Sequence, residues 1–223
     1  MDGNRGRELA SKWLKTNDLL KNPAIAKHIP STRLYSPSRL RQMVDQYGTV
    51  FIKPVRGTGG VGVAKIGKSG KGYSYAYRSG KRSSLPFGDL LRAVERIRGR
   101  KAYLIQQGID LAEIEGRPVD YRVKYVKTEN GWVFRAVVGR IARRGLFVTN
   151  ICRGGKLVSG AEAIKRSLSP ELAETKKKEM RELTKTATAL LEQRFPGIRQ
   201  LGYDYGIDRK GQIWLLEVNT RPH

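Results

Sequence analysis

The strand-like segment IWLLEVN near the end of the chain carries two oxygen-bearing side chains two residues apart. Because successive side chains of a β-strand alternate between its faces, Glu217 and Asn219 are expected on one face. Mg²⁺ prefers hard oxygen ligands and takes few carboxylates when substrate phosphates complete its coordination. The spacing therefore predicts a magnesium site that needs one further carboxylate.

Asp204 and Asp208 are the two candidates for that further ligand. The segments LGYDYGID and IWLLEVN flank a turn centred on Lys210. In such an antiparallel hairpin the numbers of paired residues sum to about 420, which places Glu217 opposite position 203 or 204. Asp208 then lies beside the turn, where aspartate is a common turn former. We therefore predict the metal ligands Asp204, Glu217 and Asn219.

The stretch FIKPVRGTGGVGVAKIGKSG, residues 51–70, fits three nucleotide-binding patterns at once. A Walker A loop at Lys68 and a Rossmann loop ending at Gly62 both need a helix to follow, whereas strand and turn residues follow here. A protein-kinase loop needs a histidine-containing catalytic loop and an Asp-Phe-Gly triplet. The chain has two histidines and no such triplet, so all three patterns are excluded.

What remains is a strand with Lys53 near its end, followed by a glycine-rich hairpin loop. Backbone amides of such a flexible loop can fold over the phosphates of a nucleotide. Read alone, the loop also fits an ordinary glycine-rich hairpin. The predicted phosphate-binding residues are Lys53, Gly57, Thr58, Gly59, Gly60, Val61 and Gly62.

The elements that must position these residues alternate between helix and strand, which predicts an α+β fold. Predicted helices are SKWLKTNDLLKN, SPSRLRQMVDQYG, FGDLLRAVERIRG and a segment that begins at Pro170 with Ser169 as its N-cap. Predicted strands are TVFIKP, GVGVAKIG, GYSYAYRS, AYLIQQGI, VDYRVKYV, GWVFRAVVGRIA and the two strands of the last hairpin. HIPST is read as a turn and NICRGGKL as a connector.

Composition limits the partners and the compartment. The chain has 44 Lys and Arg against 20 Asp and Glu, a net charge of +24, so an anionic partner is expected. Aromatic residues make up only 8%, which argues against a nucleic-acid binder built on stacking platforms. Neither a secretory signal nor an 18-residue apolar run is present, and the single Cys152 can form neither an internal disulfide nor a zinc site. We expect a cytoplasmic protein.

Together, the loop and the carboxylates resemble the ATP-grasp superfamily over nearly the whole chain. The segments KHIPSTRLY, FIKPVRGTGGVGVAKI and GYDYGIDRKGQIWLLEVNTRP are most similar to the YheC/YheD type, described as endospore coat-associated. The resemblance implies two α+β subdomains that clasp ATP between antiparallel sheets, with ATP and Mg²⁺ as cofactors. It also implies that a domain usually found before the ATP-grasp core is absent or reduced here.

The expected organisation is a single ATP-grasp domain over residues 1–223. Within it we expect a helical lead-in at 1–50, a glycine-flap subdomain at 51–107 and a metal-binding subdomain at 108–223.

The resemblance also assigns roles to residues outside the two motifs. YLIQQGI resembles the strand that contacts adenine, and SKWLKTNDLL resembles a segment with an ATP-contacting lysine, for which Lys15 is the alternative to Lys12. Arg122 is also open to a structural role as the partner of Asp120 or Glu217. The implied nucleotide-binding residues are Lys12, Gln106, Gln107, Ile109 and Asp120. The implied catalytic residues, at the phosphate and acyl-phosphate end, are Arg140, Asn150 and Arg153.

The implied activity is ATP- and Mg²⁺-dependent formation of an amide from a carboxylate and an amine, such as an amino acid or a peptide, through an acyl phosphate. An acidic peptide or polymer would suit the net charge, and spore-coat proteins are the implied partners. The alternatives are a non-catalytic nucleotide-binding protein of the spore, a phosphotransferase that does not ligate, and a basic protein that binds nucleic acid or another polyanion.

Overall fold

The computed structural model describes residues 6–146, 149 and 154–220 of the chain. The chain divides into two compact units. Unit 1 comprises Met1–Ile29 and Asp110–His223, and unit 2 comprises Pro30–Ile109. Residues 1–50 are thus divided between the two units.

The described elements alternate as an α+β chain. The helices are α1 (Lys12–Leu19), α2 (Pro23–Ala26), α3 (Pro37–Tyr47), α4 (Phe87–Arg98), α5 (Gly160–Ser167) and α6 (Leu172–Arg194). The strands are β1 (Thr32–Leu34), β2 (Thr49–Pro54), β3 (Ala64–Ser69), β4 (Gly72–Tyr77), β5 (Gly80–Leu85), β6 (Tyr103–Gln107), β7 (Glu113–Ile114), β8 (Arg117–Thr128), β9 (Gly131–Ile141), β10 (Lys156–Ser159), β11 (Gln200–Ile207) and β12 (Ile213–Asn219).

Unit 2 is an antiparallel sheet in the order β1, β6, β2, β3, β4, β5, covered on one face by α3 and α4. The start of α3 follows from its sequence, because the Ser36 hydroxyl accepts a hydrogen bond from the Arg39 amide and Pro37 occupies the first turn. Apolar residues of α3 and α4 pack against alternate residues of β2, such as Val50 and Ile52. The opposite face of β2 therefore carries Lys53.

Unit 1 contains a sheet in the order β10, β9, β8, β11, β12, with β7 paired to β8. Helix α6 packs on one face of this sheet. There the buried Tyr203 and Tyr205 hydroxyls hydrogen-bond to Thr188 and Thr184 of α6 at 2.8 and 3.0 Å. Since side chains alternate along β11, Asp204 is turned to the face away from α6.

The start of α6 differs from the prediction. We expected a helix from Pro170 with Ser169 as its N-cap, but α6 begins at Leu172, and Glu171 precedes it without a capping hydrogen bond from its side chain. Instead, the Ser169 hydroxyl bonds the Glu171 side chain and lowers the pKa of this carboxyl. The predicted N-cap was therefore wrong because the serine serves a neighbouring side chain and not a helical amide.

Several short elements lie outside the predicted set: α2, α5, β1, β5, β7 and β10. Strand β10 begins at Lys156, so the last two residues of the segment NICRGGKL, which was read as a connector, belong to a strand that pairs with β9. The segment of β5, GKRSSL, is polar and mostly exposed, so it has no hydrophobic periodicity, and its pairing with β4 holds it in the sheet. Within the part of the chain that the structure describes, no helix combines the length and apolar character needed to cross a membrane.

Candidate functional site

The hairpin of β11 and β12 brings the three predicted metal ligands together. Asp204 lies opposite Glu217 and Gly202 opposite Asn219, in agreement with the register expected for a turn at Lys210. A register shift leaves Leu216 without a counterpart, so the strand bulges there and turns Glu217 to the face that carries Asp204. The Asn219 Nδ2 lies 3.4 Å from the Asp204 Oδ2. Two carboxylates and one amide thus share a small area of one sheet face.

Two arginines neutralise Asp204 in this structure. The Arg122 Nη2 donates to Asp204 Oδ2 at 2.9 Å while its Nε contacts the other oxygen, and the Arg140 Nη2 lies 3.1 Å from Oδ1. Burial alone would raise the pKa of Asp204, but the Arg140 and Arg122 cations outweigh burial and hold the pKa below its ordinary 3.8. Asp204 is therefore an ionised carboxylate that is already paired with cations of the protein.

Asp120 and Arg140 form a second buried ion pair beside the first. Arg140 binds Asp120 through two hydrogen bonds, Nε to Oδ1 at 2.7 Å and Nη2 to Oδ2 at 2.6 Å, and the Thr149 hydroxyl donates to Oδ2. Burial raises the pKa of Asp120 even with this partner. Burial would lower the pKa of Arg140, but the Asp204 and Asp120 carboxylates raise it, so the guanidinium stays charged. Arg140 thus links the two carboxylates.

The strand order explains why these side chains meet. In the register, Asp120 lies opposite Arg140 on β9, and Arg122 lies opposite Asp204 on β11. Adjacent opposed residues of an antiparallel sheet point to the same face. Alternating charges therefore run from β9 across β8 to Asp204 on β11, and Glu217 on β12 adds a second carboxylate beside Asp204.

Lys12 of α1 pairs with Glu217 at 3.1 Å. The neighbouring candidate, Lys15, is only 3% exposed, and its ammonium donates to the Leu9 carbonyl. Burial lowers the pKa of Lys15 to about 8. Lys12, and not Lys15, is therefore the lysine that reaches the carboxylate face.

The donor set fits Mg²⁺. The metal-binding atoms that Asp204, Glu217 and Asn219 offer are oxygens. This set contains two carboxylates and an amide, and the described residues contain no cluster of three His, Cys, Asp or Glu side chains that would suit another metal. Two carboxylates and an amide oxygen suit Mg²⁺, which commonly takes one or two carboxylates and completes its shell with water and phosphate oxygens. Because Asp204 and Glu217 are paired with protein cations, an arriving metal ion must compete with these cations for the same oxygens.

Unit 2 carries the glycine loop, between β2 and β3. Four glycines of the loop have positive φ angles of 136°, 65°, 69° and 80°, a region that other residues rarely adopt; they are Gly57, Gly59, Gly60 and Gly62. Two tight turns form it, from the Val61 amide to the Thr58 carbonyl and from the Val63 amide to the Gly60 carbonyl, both at 3.3 Å. Val61 is 61% exposed at the tip.

The elements that follow the glycine loop confirm that the Rossmann and Walker A patterns are chance matches. Strand β3 follows Gly62, where a Rossmann loop requires a helix. Residues Gly70 and Lys71 form the turn between β3 and β4, where a Walker A loop requires a helix at its lysine.

Lys53 and Gln106 lie together on the sheet face away from α3 and α4. The Lys53 ammonium donates to Gln106 Oε1 at 2.5 Å, and Gln106 Nε2 donates to the Thr32 hydroxyl at 3.1 Å. Thr32 in turn donates to the Pro30 carbonyl at 2.7 Å. This chain of hydrogen bonds orients the Gln106 amide. The side chain of Gln107 is used elsewhere, since its Oε1 accepts from the Ser31 amide at 3.2 Å.

Other predicted residues have simpler outcomes. Asp208 is part of the turn, because its carboxylate accepts from the Lys210 and Gln212 amides and from the Trp214 indole, each at 2.9 Å. Ile109 follows β6 and is half-buried. Asn150 and Arg153 lie outside the described residues.

Three side-chain contacts of the site residues are not predicted from the sequence. Arg122 pairs with Asp204 and not with the expected Asp120 or Glu217. Thr149 on Asp120 and Thr32 on Gln106 are unpredicted. The register of β8 with β11 would have revealed the Arg122 contact, but no sequence signal marks either threonine.

Solved structures share this fold. N5-carboxyaminoimidazole synthase from Aspergillus clavatus, in complex with ADP and 5-aminoimidazole ribonucleotide, superimposes with a TM-score of 0.61 at 16% identity, over 97% of this chain and 46% of that chain. D-alanyl-alanine synthetase A from Vibrio cholerae superimposes with a TM-score of 0.58 at 17% identity, over 96% of this chain and 55% of that chain. The fold is that of the ATP-grasp enzymes.

Curated relatives define the branch. Endospore coat-associated protein YheD of Bacillus subtilis is 29% identical over 95% of this chain and 48% of its own length, and YheC of the same organism is 25% identical over 97% and 61%. The sequence model described as YheC/D like ATP-grasp matches residues 4–223. The chain therefore belongs to the YheC/D-like ATP-grasp family. It spans about half the length of the curated relatives that it matches.

Proposed function

We propose that the chain is a Mg²⁺- and ATP-dependent ligase that joins a carboxylate to an amine through an acyl phosphate. The observation that supports this most is the face of unit 1 on which Asp204, Glu217 and Asn219 lie together beside Arg122 and Arg140. Oxygen ligands for a metal ion and cations for phosphate oxygens are the two needs of phosphoryl transfer. The similar structures are named as synthases or synthetases, and one contains ADP.

In this proposal Asp204, Glu217 and Asn219 hold Mg²⁺, which when bound neutralises charge on the phosphate oxygens of ATP. Arg140 and Lys12 contact the carboxylates in the present structure and would exchange them for phosphate oxygens. Such an exchange keeps each cation paired, since guanidinium and ammonium groups bind carboxylate and phosphate alike. Asp120 holds Arg140 from its other side, so the guanidinium keeps a fixed position throughout.

Unit 2 supplies the other nucleotide contacts in this proposal. The amides of the glycine loop and the Lys53 ammonium bind phosphate oxygens, because positive-φ glycines allow several N–H groups to turn toward one anion. Gln106, Gln107 and the backbone at Ile109 bind adenine. The roles of Asn150 and Arg153 in holding the acceptor carboxylate remain part of the proposal.

The chemistry then proceeds in two transfers. An oxygen of the acceptor carboxylate attacks the γ-phosphorus of ATP, the bond to the bridging oxygen breaks, and ADP leaves. The amine nitrogen next attacks the carbonyl carbon of the acyl phosphate, loses a proton, and expels inorganic phosphate to leave an amide. Closure of the glycine loop would exclude the water that hydrolyses an acyl phosphate.

The direct test is ADP release by the purified chain with Mg²⁺, ATP and a panel of amino acids and acidic peptides. Ligation predicts that ADP release requires both an acid and an amine, and that mass spectrometry finds a condensed product lighter than the sum of the two by one water. The Glu217→Gln variant should abolish both signals. ADP release without any condensed product across the panel, equal in wild type and variant, would contradict the proposal.

A second candidate is a nucleotide-binding protein of the spore coat that does not ligate. The observation in its favour is that both carboxylates, Asp204 and Glu217, are paired with protein cations. It predicts Mg²⁺-dependent nucleotide binding without ADP release. The spore-coat setting itself is proposed from the names of YheD and YheC alone. An acidic peptide or polymer as the acceptor is proposed from the net charge of +24.

A further inference from the structure

A groove lies on the α6 side of unit 1, where the first half of α6 faces the turn end of the β8 and β9 hairpin. Its volume is about 730 Å³. Tyr125 of β8 lies opposite Phe134 of β9, and Trp132 stands two residues before Phe134. Asp120 and Arg122 have the opposite parity to Tyr125 along β8, so their side chains point to the other face of the sheet. The groove is therefore separate from the carboxylate site.

Three aromatic rings form the floor of this groove. The Tyr125 ring stacks on Phe134 with centroids 4.2 Å apart and on Trp132 with centroids 5.3 Å apart, at interplanar angles of 30° and 24°. Tyr125 is buried beneath the other two rings, which each keep part of their surface exposed. The floor thus presents the exposed parts of two aromatic rings, Trp132 and Phe134, that the paired strands hold in place.

Cations form the wall of the groove on α6. Their spacing places them on one side of the helix, and they are Lys177, Lys178, Arg181 and Lys185. Two of them pair with Glu174 and Glu182 at 2.9 and 2.8 Å. Among the described residues, Lys178 and Arg181 have no carboxylate within 4.0 Å, and both are exposed. The Arg181 guanidinium carbon lies 5.2 Å from the centre of the Phe134 ring.

We propose that this groove binds single-stranded nucleic acid, with bases on the exposed parts of the Trp132 and Phe134 rings and phosphates on Lys178 and Arg181. Aromatic surface beside a positive wall is the arrangement that such polymers need, because every base has a face that stacks. The low aromatic content argued against stacking platforms, but the fold gathers three rings in one place. An acidic polypeptide such as polyglutamate would contact the cations but has no aromatic group to stack on the rings, so the rings favour nucleic acid as the ligand.

The test is fluorescence anisotropy of a labelled oligothymidylate of about 15 nucleotides, titrated with the full chain over a salt series. The Lys178→Ala, Arg181→Ala double variant removes the two phosphate-binding cations. Its matched control is Lys81→Ala, Arg82→Ala, which removes the same two residue types from exposed positions of β5 in unit 2. A third variant, Phe134→Leu, removes a ring and keeps every charge. A polyglutamate of similar length is the competing polyanion.

The proposal predicts that the α6 double variant lowers affinity about tenfold or more and reduces the slope of log K against log salt by about 1.4, which is two phosphate contacts at about 0.7 each. The β5 control should leave that slope unchanged, and Phe134→Leu should weaken binding of the oligonucleotide but not of polyglutamate. Equal losses in the two double variants would overturn the proposal in favour of overall charge. Tight polyglutamate binding with no effect of Phe134→Leu on either polymer would overturn it in favour of an acidic partner.

Discussion

Replacing Arg140 with methionine should destabilise unit 1 more than any exposed charge substitution. Arg140 is 7% exposed, and its guanidinium makes two hydrogen bonds of 2.6 and 2.7 Å to Asp120, with a further contact of 3.1 Å to Asp204. Asp204 retains Arg122 in the variant, whereas Asp120 retains, among the described side chains, the Thr149 hydroxyl alone. Leaving one buried charge without its partner costs about 3–5 kcal/mol, so most of the loss should come from Asp120.

The loss should also depend on pH. Burial raises the pKa of Asp120 above its ordinary 3.8, and removing the guanidinium raises this pKa further. Between 3.8 and the raised pKa, the folded state binds a proton that the unfolded chain has released, so stability falls as pH rises through this window. Because the pKa of Asp204 is lowered below 3.8, its contribution to stability is lost as pH falls below that value, which is the opposite dependence. The variant should therefore lose less stability at roughly pH 5 than at roughly pH 8.

Urea unfolding followed by tryptophan fluorescence measures this in the right place, because Trp13, Trp132 and Trp214 all belong to unit 1. The control is the double variant Arg140→Met, Asp120→Asn, which removes the charge left behind and should recover part of the loss. A loss under about 1 kcal/mol, equal at both pH values and unchanged in the double variant, would refute the reasoning.

Two further predictions concern the glycine loop and α1. Gly62→Ala should weaken ATP binding about 5- to 30-fold, the equivalent of about 1–2 kcal/mol. The reason is that φ of Gly62 is +80° and the added Cβ would lie 2.6 Å from the Tyr103 hydroxyl. Gly70→Ala, whose Cβ meets open space, is the control and should leave the affinity for ATP measured by calorimetry unchanged. Lys15 has its pKa lowered from 10.5 to about 8 by burial, so above pH 8 the unfolded state binds the extra proton and stability rises with pH. Relative to Lys15→Met, wild type should gain about 1.5 kcal/mol between roughly pH 8 and pH 9.5 in urea unfolding, because the folded-state lysine is half deprotonated at pH 8. A constant difference would contradict this.

The pairing of Asp204 with Glu217 was predictable because it depends on local sequence. A hairpin with a short turn fixes its own register, and Gly211 with the Asp208 carboxylate defines that turn. The hairpin sum left the partner of Glu217 open between positions 203 and 204, and the bulge at Leu216 selects Asp204. The strand, the lysine and the glycine loop around Lys53 were predictable for the same reason.

The contacts that were not predictable depend on the order of strands in a sheet. Arg122 meets Asp204 because β8 pairs with β11, although the residues are 82 positions apart. Gln106 meets Thr32 because β1, a strand of three residues without a sequence signature, pairs with β6. Alternation along each strand fixes which face a residue occupies, but the neighbour across the ladder requires the topology.

The most direct test of the account is calorimetric titration of Mg²⁺ with a non-hydrolysable ATP analogue into wild type and a Glu217→Ala, Asn219→Ala double variant. Glu129→Ala, Asn130→Ala is the matched control, because it removes the same two residue types from the exposed turn between β8 and β9 of unit 1. The account predicts Mg²⁺-dependent binding in wild type and the control, and its loss in the site variant. Equal binding by all three proteins, or no binding by folded wild type, would contradict the claim that this carboxylate face binds the metal and the nucleotide.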